Sequence, residues 1–183
     1  GAVVVTMAAG SFASAGSDGT GSSLPETSDT ESKKGTTTQL TEVSQTEEMR
    51  AVWVPVMSLQ MNGEGEAAFQ KKFDEIIATS LEKGMNTLIV HVRPFGDSFY
   101  PSEYFPWSHA LSGTQGVDPG YDPLAYMVEA AHKAGLAIHA WVNPLRIQAS
   151  STPSILSQDN PYTLWQGDSE KKDWTVKTDS GIY

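Results

Sequence analysis

The sequence predicts an α/β fold that forms the first part of a (β/α)8 barrel, with three strands and two helices, preceded by a disordered N-terminal tail. Strand-like and helix-like stretches alternate along residues 49–183, which is typical of a parallel sheet with crossover helices. The second and third strands also have one aliphatic face and one face that becomes polar toward the carboxyl end, as barrel strands do. An open doubly wound sheet is the competing architecture, and its strands are more often apolar on both faces.

The N-terminal tail is identified by its composition. Residues 1–48 contain 23 Gly, Ser or Thr residues and a single aromatic, Phe12, so they lack the apolar surface that offsets the entropy of ordering. Residues 1–15 match the apolar stretch and small-residue cleavage site of a secretory signal peptide truncated at its start, and residues 16–48 read as a disordered linker. This pattern predicts an exported protein, extracellular or associated with the cell envelope; an Ala/Gly-rich disordered tail is the alternative.

The folded region begins with a strand and a helix. Residues 50–57 are a short apolar, β-branched run, which predicts a strand. Residues 66–83 follow with apolar side chains at helical spacing, and Gly84 stands where a C-terminal cap belongs. No glycine-rich phosphate-binding motif follows the first strand, which weakens the dinucleotide-binding version of an open sheet.

Two further strands flank a long loop and a second helix. Residues 86–93 and 136–142 predict the second and third strands, and the loop covers residues 94–121. Asp122, which is followed by proline, is a good N-cap for a helix that ends at Gly135. After Pro144 the chain is predicted to be irregular until residues 174–177.

Polar side chains gather at the carboxyl end of the inner face of these two strands. In a barrel the aliphatic faces meet the helices, and the polar strand ends converge at the mouth, where barrel enzymes place their chemistry. The sequence therefore predicts that Arg93 and Asn143 project from neighbouring parallel strands into a shared mouth, covered by residues 95–121. The inner-face residues are Ile89, His91 and Arg93 in the second strand, and His139, Trp141 and Asn143 in the third.

The long loop is rich in aromatic residues. Loops of this length are usually functional or disordered, and the aromatic content argues for order. Exposed aromatic faces beside carboxylates and amides suit sugar rings, which stack their C–H faces on aromatic rings. The alternative role for each aromatic residue is to pack in a small hydrophobic cluster that covers the barrel mouth. The seven are Phe95, Phe99, Tyr100, Tyr104, Phe105, Trp107 and Tyr121.

Four separated motifs carry a resemblance to a known family. They are MRAVWV at residues 49–54, VRPFGDSFYPSEYFPW at 92–107, GYDPL at 120–124 and HAWVNPLR at 139–146. Together they resemble the glycosyl hydrolase-like family 10 domain, a bacterial cell-envelope group, over about residues 48–183. The resemblance implies a (β/α)8 barrel that acts on a polysaccharide, expected to be the glycan strands of peptidoglycan, in proteins that are commonly exported or lipid-anchored.

The resemblance also implies that the sequence is the N-terminal portion of an enzyme. A complete barrel needs about 250 residues, and residues 49–183 supply three strands. In the family, an Asp-rich strand end with candidate catalytic carboxylates lies beyond the position of Tyr183. We therefore expect the fragment alone to be inactive, and an unclosed sheet to be poorly soluble or dependent on a partner.

Glycoside hydrolysis usually needs two carboxyl groups that flank the bond, and four acids lie near the predicted mouth. Asp122 is better explained as a helix cap, Asp118 as a turn residue, and Glu103 is a weaker candidate. Asp97 is the best candidate, where it could orient Arg93, bind a sugar hydroxyl or form a structural ion pair with Arg93. The catalytic residues themselves stay unassigned.

The predicted substrate-binding residues extend beyond the acids. An inward guanidinium such as Arg93 can hold a substrate hydroxyl or carboxylate, or tune a neighbouring acid; a buried salt bridge is the alternative. The Asn143 amide can donate to and accept from a sugar. Trp141 is either the floor of a sugar subsite or a core residue, and His139 is better explained as a hydrogen-bonded core histidine. The full set is Arg93, Asp97, Tyr104, Trp107, His139, Trp141, Asn143 and Arg146.

Composition argues against several other functions. A net charge of −10 and a sequence pI near 4.7 disfavour nucleic acid and anionic membranes as partners. The chain has no cysteine, so disulfides, thiolate zinc sites and cysteine nucleophiles are excluded. No histidine pair has metal-ligand spacing and no cofactor is predicted, although an oxygen-only calcium site stays open. The longest apolar run is too short for a transmembrane span.

The sequence therefore predicts a glycoside hydrolase that acts on an envelope polysaccharide. A non-catalytic carbohydrate-binding domain, which would use the aromatic loop without an acid pair, is the alternative. An α/β domain with an unrelated small-molecule activity is the third possibility. The sugar, the linkage, the stereochemical outcome and the oligomeric state are not predicted by the sequence.

Overall fold

The structure is a computed structural model that describes residues 3–6, as backbone only, and residues 48–183. The predicted signal segment, residues 1–15, and the predicted linker, residues 16–48, lie outside this part apart from one short strand and Glu48. In chain order the strands are β1 (Val3–Thr6), β2 (Ala51–Val54), β3 (Thr87–Arg93), β4 (Ala137–Val142), β5 (Gln148–Ala149), β6 (Lys177–Thr178) and β7 (Gly181–Ile182). The helices are α1 (Glu66–Glu82), α2 (His109–Ser112), α3 (Pro123–Lys133) and α4 (Pro161–Gln166), with 3-10 turns at Val56–Leu59 and Lys172–Trp174.

The main sheet has the strand order β1-β4-β3-β2. β2, β3 and β4 run parallel, with Trp53 opposite Ile89 and Ile89 opposite His139, whereas β1 pairs antiparallel with β4. This arrangement confirms the α/β class and the parallel strands connected through α1 and α3. A barrel and an open sheet share these features, so closure into an eight-stranded barrel stays a prediction.

The hydrophobic core lies between one face of this sheet and the two long helices. The aliphatic residues of β3 and β4 face α1 and α3, as the alternation of apolar side chains predicts. Each large core side chain contributes roughly 1.5–3 kcal/mol by its removal from water. The buried members from sheet and helices include Leu88, Val90, Val92, Ile138, Ala140, Phe69, Phe73, Ile77, Met127 and Ala131.

The predicted helix ends agree with the structure. Asp122 Oδ1 accepts a hydrogen bond of 3.0 Å from the Ala125 amide, and it thereby caps α3. Gly84 follows α1 with φ +72°, and the Met85 amide donates to the Ser80 carbonyl at 2.9 Å.

The first predicted strand, residues 50–57, begins one residue too early and ends three residues too late. β2 ends at Val54 because Pro55 begins a 3-10 turn, in which the Ser58 amide donates to the Pro55 carbonyl at 2.9 Å. Proline has no amide hydrogen, so it cannot continue the hydrogen-bonding pattern of the sheet as a donor.

The prediction of irregular structure from residue 144 until residues 174–177 is wrong, because β5 and α4 lie within that stretch. β5, β7 and β6 form a small antiparallel sheet, and α4 lies between β5 and β6 along the chain. Asn160 caps α4, since its Oδ1 accepts from the Tyr162 amide at 2.9 Å. Gly181 brings β7 close to the Gln148 carbonyl, at a φ of +142° that favours glycine.

The long loop after β3 also contains regular structure. α2 is a single helical turn within it, and the Ser108 side chain accepts from the Ala110 amide at its start. In the part of the chain that the structure describes, no helix has the length and apolar character that crossing a bilayer requires.

Candidate functional site

A cavity of about 950 Å³ lies beside the carboxyl ends of β3 and β4. Three stretches line it: residues 93–105 after β3, residues 144–147 after β4, and residues 161–183 from α4 to the last strand. The carboxyl end of a parallel sheet is where α/β proteins generally bind ligands. The aromatic lining residues are Phe95, Tyr104, Phe105, Trp165, Trp174 and Tyr183.

Arg93 lines this cavity from the last position of β3. The pairing with β4 shifts between His91 and Arg93, because His91 stands opposite Trp141 but Arg93 stands opposite Val142. Such a bulge changes the direction in which the next side chain points. The guanidinium carbon lies 4.5 Å from the centre of the Phe105 ring, and the guanidinium has no ion pair with any described residue.

Arg146 lines the cavity from the segment after β4. Its guanidinium carbon lies 5.9 Å from the ring centre of Phe95 and 5.6 Å from that of Tyr183. Nη2 donates to the Ser180 carbonyl at 3.2 Å, while the buried Nε has no hydrogen-bond partner among the described residues. These contacts hold the guanidinium between two aromatic rings.

Glu103 is the only carboxylate among the described lining residues, and it is exposed. It makes no ion pair with Arg93 or Arg146 in the described part of the chain. Because glycoside hydrolysis usually requires two carboxyl groups, these lining residues do not by themselves supply an acid pair.

Asn143 and Trp141 belong to a cluster on the inner face of the sheet rather than to the cavity wall. The Trp141 ring stacks on His91 with the ring centres 3.8 Å apart, and Trp53 meets Trp141 edge-on at 4.8 Å. Asn143 Oδ1 accepts from Trp141 Nε1 at 3.0 Å, and its Nδ2 donates to the Pro94 carbonyl at 3.1 Å. These two partners fix the orientation of the amide.

The same amide assigns the tautomer of His91. Asn143 Nδ2 lies 3.0 Å from His91 Nε2, so this ring nitrogen accepts and the proton of the neutral ring is on Nδ1. Burial lowers the pKa of His91 to about 4, an effect that the negative charge of Asp97 partly opposes. The imidazole is therefore neutral at physiological pH.

Arg93 and Asn143 lie at the same end of adjacent strands, as predicted. The Asn143 amide N–H donates to the Arg93 carbonyl at 2.9 Å. Their side chains have different environments, however, because Arg93 lines the cavity and Asn143 bonds within the His91 cluster. The prediction that both face one mouth therefore has structural support for Arg93 alone.

Asp97 is fully buried at the base of the loop. Its Oδ2 accepts from Gln115 Nε2 at 3.3 Å and lies 3.5 Å from His109 Nδ1. Its Oδ1 has no hydrogen-bond partner among the described residues, and no ion pair joins it to Arg93 there. Asp97 contacts two parts of the same loop, and it is not among the residues that line the cavity.

Gln115 and Asn160 attach this loop to the C-terminal segment. Gln115 Oε1 accepts from Asn160 Nδ2 at 3.1 Å and from the Ser157 amide at 3.0 Å. Asn160, which is fully buried, also donates from Nδ2 to the Gly96 carbonyl at 3.2 Å. Sequence reasoning did not identify this network, although Asn160 before Pro161 repeats the cap pattern of Asp122 before Pro123.

The predicted binding residues thus divide into separate groups. Arg93, Tyr104 and Arg146 line the cavity, whereas Trp107 and His139 are half-buried outside its lining. Sequence reasoning did not find three aromatic residues of the C-terminal wall. They are Trp165, Trp174 and Tyr183.

No group of three or more His, Asp or Glu side chains is arranged to hold a metal ion among the residues that the structure describes. The polar groups that line the cavity are two guanidiniums and one exposed carboxylate, accompanied by aromatic rings. This combination is suited to binding a ligand that has both apolar faces and polar edges.

Comparison with known proteins identifies relatives of this chain. The family model for Glycosyl hydrolase-like 10 matches residues 48–182. The chain is 42% identical over 141 residues to "Glycosyl hydrolase YngK" of Bacillus subtilis (strain 168), a match that covers 74% of this chain and 26% of that protein. It is 35% identical over 130 residues to "Glycosyl hydrolase DigH" of Escherichia coli (strain K12), which covers 68% of this chain and 30% of that protein.

The matched region therefore spans less than a third of the length of either curated relative. The family match includes the parallel strands β2, β3 and β4, the helices α1 and α3, and the lining of the cavity except Tyr183. The chain belongs to the Glycosyl hydrolase-like 10 family.

Proposed function

We propose that the protein is a glycoside hydrolase that acts on a bacterial envelope polysaccharide, the glycan strands of peptidoglycan. The observation that carries this proposal is the aromatic cavity at the carboxyl ends of β3 and β4. Family membership and the names of the two relatives support the reaction class. In this proposal β2, β3 and β4 are the first strands of a (β/α)8 barrel in an exported protein.

The cavity wall suits a carbohydrate because its aromatic faces can stack against sugar rings. Trp165 and Trp174 meet edge-on with their ring centres 5.6 Å apart, so their faces point in different directions. A sugar buries its C–H face on such a ring and keeps its hydroxyls for polar partners at the edge. In this proposal the described residues bind the sugar, and the two catalytic carboxyl groups are not assigned among them.

The proposal is tested by incubation of the full-length protein, rather than of this portion alone, with purified peptidoglycan glycan strands. We expect shorter chains by chromatography and one new reducing end for each bond cleaved. Trp174→Ala should weaken binding of the strands by about tenfold, because it removes one stacking face from the cavity. Ile155→Ala is the matched control, since Ile155 is 81% exposed and does not line the cavity.

A second candidate function is a non-catalytic carbohydrate-binding domain. It is favoured by the observation that Glu103 is the only carboxylate among the described lining residues. Binding of glycan strands that Trp174→Ala weakens, without any new reducing ends, would support this candidate over hydrolysis. An absence of binding by the wild-type protein would exclude both.

A further inference from the structure

A chain of buried polar side chains connects two walls of the cavity without being part of its lining. Asp97 and Asn160 are fully buried, and Gln115 between them is 5% exposed. Each end of the chain is next to a lining residue, since Gly96 precedes Asp97 and Pro161 follows Asn160. The positions of both walls therefore depend on how these three side chains are held.

The hydrogen bonds of this chain all run in one direction. An ionised carboxylate only accepts hydrogen bonds, and Asp97 Oδ2 accepts from Gln115 Nε2 at 3.3 Å. This contact leaves Gln115 Oε1 to accept from Asn160 Nδ2 at 3.1 Å. Asn160 Oδ1 in turn accepts from the Tyr162 amide at 2.9 Å, at the start of α4. The carboxylate at one end and the backbone amide at the other therefore favour the same orientation of both side-chain amides.

Asp97 also lies at the base of the loop segment that carries the aromatic wall. The Ser98 amide donates to the Pro106 carbonyl at 2.9 Å, which holds the two ends of this segment together. Asp97 Oδ2 lies 3.5 Å from His109 Nδ1, just beyond the second end. The cavity-lining residues between the two ends are Glu103, Tyr104 and Phe105.

We propose that Asp97 is a positioning residue for glycan binding, which holds the aromatic loop and α4 at the spacing that the ligand requires. This inference rests on the proposed function, because it takes the cavity to be the glycan site. The Asp97 carboxylate acts through Gln115 rather than by touching the ligand, since it is fully buried and does not line the cavity. Its effect is large because a displacement of about 1 Å in groups that hold a substrate already weakens their function.

The first test compares two substitutions of Asp97 in the full-length protein. Asp97→Asn keeps the shape of the side chain and an accepting oxygen for Gln115, and its nitrogen replaces Oδ1, which has no hydrogen-bond partner among the described residues. We expect this variant to bind peptidoglycan glycan strands within about twofold of the wild type. Asp97→Ala leaves the buried Gln115 Nε2 without its acceptor, and it should weaken binding about tenfold.

Asp118→Ala is the matched control for Asp97→Ala. Asp118 is an exposed carboxylate of the same loop, where its Oδ1 accepts from the Gly120 amide at 2.7 Å. It does not line the cavity, so this variant should bind glycan strands as the wild type does. An equal loss of binding in both variants would contradict a specific role for Asp97.

Steady-state kinetics separate positioning from catalysis. The walls contact the glycan both before and during the reaction, so Asp97→Ala should raise KM about tenfold and change kcat by less than about threefold. A catalytic acid or nucleophile behaves differently, because the amide of Asp97→Asn can neither donate a carboxyl proton nor attack a sugar. A loss of about a hundredfold or more in kcat for Asp97→Asn, with binding unchanged, would overturn the inference.

A double substitution tests the direction of the hydrogen bonds. Gln115→Glu places a second buried carboxylate against Asp97, so it should weaken glycan binding at least as much as Asp97→Ala at pH 8. Adding Asp97→Asn exchanges the acid and the amide and restores a donor to an acceptor, which should recover most of the affinity. Binding by the double variant that is no better than that of Gln115→Glu would refute the pairing.

The outcomes distinguish this inference from the proposed function. If the full-length wild-type protein neither binds nor cleaves glycan strands, both fail. If it binds them and Asp97→Ala binds them equally well, the inference alone fails. If Asp97→Ala does not fold, Asp97→Asn and the double variant still decide the question through binding and kcat.

Discussion

The contacts of the buried His91 side chain favour the neutral form of its imidazole ring. Its neutral ring accepts at Nε2 from Asn143, while Trp141 stacks on its face. A second proton would place an N–H donor against the Asn143 amide, whose orientation is fixed by Trp141 and Pro94. The cluster therefore disfavours the protonated ring through both burial and hydrogen bonding.

This arrangement predicts a loss of stability in acid. Burial lowers the pKa of His91 to about 4, whereas in the unfolded chain it is near 6.5. Between these values the unfolded state binds a proton that the folded state does not, so the free energy of unfolding falls as the pH is lowered. We expect His91 to contribute a loss of up to about 3 kcal/mol between pH 6.5 and pH 4, measured by urea denaturation.

The contribution of His91 is isolated by comparing two variants. His91→Gln cannot titrate, so its stability should decline less steeply than that of the wild type over this pH range. His132→Gln, which removes an exposed histidine at the end of α3, should follow the wild-type profile. If the free energy of unfolding fell equally with pH in His91→Gln and in the wild type, protonation of His91 would not be a cause of the loss of stability in acid.

The loop after β3 depends on α4 through Asn160. This side chain caps α4 and also donates to Gly96 and Gln115, so one buried amide connects the helix with two parts of the loop. Both segments contribute to the cavity wall, through Gly96 and through Leu164 and Trp165. The shape of the wall thus depends on a residue that does not touch the cavity.

Asn160→Ala is predicted to destabilise the protein by about 2–4 kcal/mol. It removes the helix cap, which is worth about 1 kcal/mol, and leaves buried polar groups without their donor. The free energy of unfolding from urea denaturation measures this effect. Asp159→Ala is the control, because the exposed neighbouring side chain makes no contact in this network, and a loss of similar size in both variants would refute the role assigned to Asn160.

The comparison of α3 with α4 shows which elements the sequence could predict. Both begin with a capping residue and proline, Asp122–Pro123 and Asn160–Pro161. α3 extends over 11 residues and therefore shows an apolar stripe, whereas α4 has 6 residues and is too short for periodicity to be recognised. The two-residue strands β5, β6 and β7 depend on tertiary contacts and show no alternation of their own.

The candidate site, like the fold, could be predicted only where a local sequence pattern indicates it. Period-two alternation along β3 predicts an inward Arg93, and the structure places it in the cavity wall, although a bulge after His91 interrupts the alternation. Trp174 and Tyr183 lie about 80 to 90 residues further along the chain, and no local pattern relates them to Arg93. The burial of Asp97 could not be read from its motif either, since it results from contacts with His109 and Gln115.

The two faces of the main sheet differ across the whole molecule. One face is covered by α1 and α3, whereas Trp53 on the other face is 51% exposed. β2 is also the last strand in the sheet, with no second neighbour among the described strands. An unpaired edge beside an exposed aromatic side chain is a surface through which copies of a protein associate.

In the proposed barrel this edge of β2 pairs with a later strand, so we predict that residues 48–183 produced alone self-associate, and that Trp53→Lys weakens this association by about tenfold or more. The substitution removes a large apolar surface and places a charge on the edge strand, which disfavours pairing between strands of different copies. Sedimentation velocity over a range of protein concentrations measures the change. Met57→Lys is the matched control, because Met57 is 71% exposed but lies in a 3-10 turn outside the strand. If both variants reduce association equally, exposed apolar area in general is responsible; if the wild type is monomeric throughout, the free edge of β2 does not promote association.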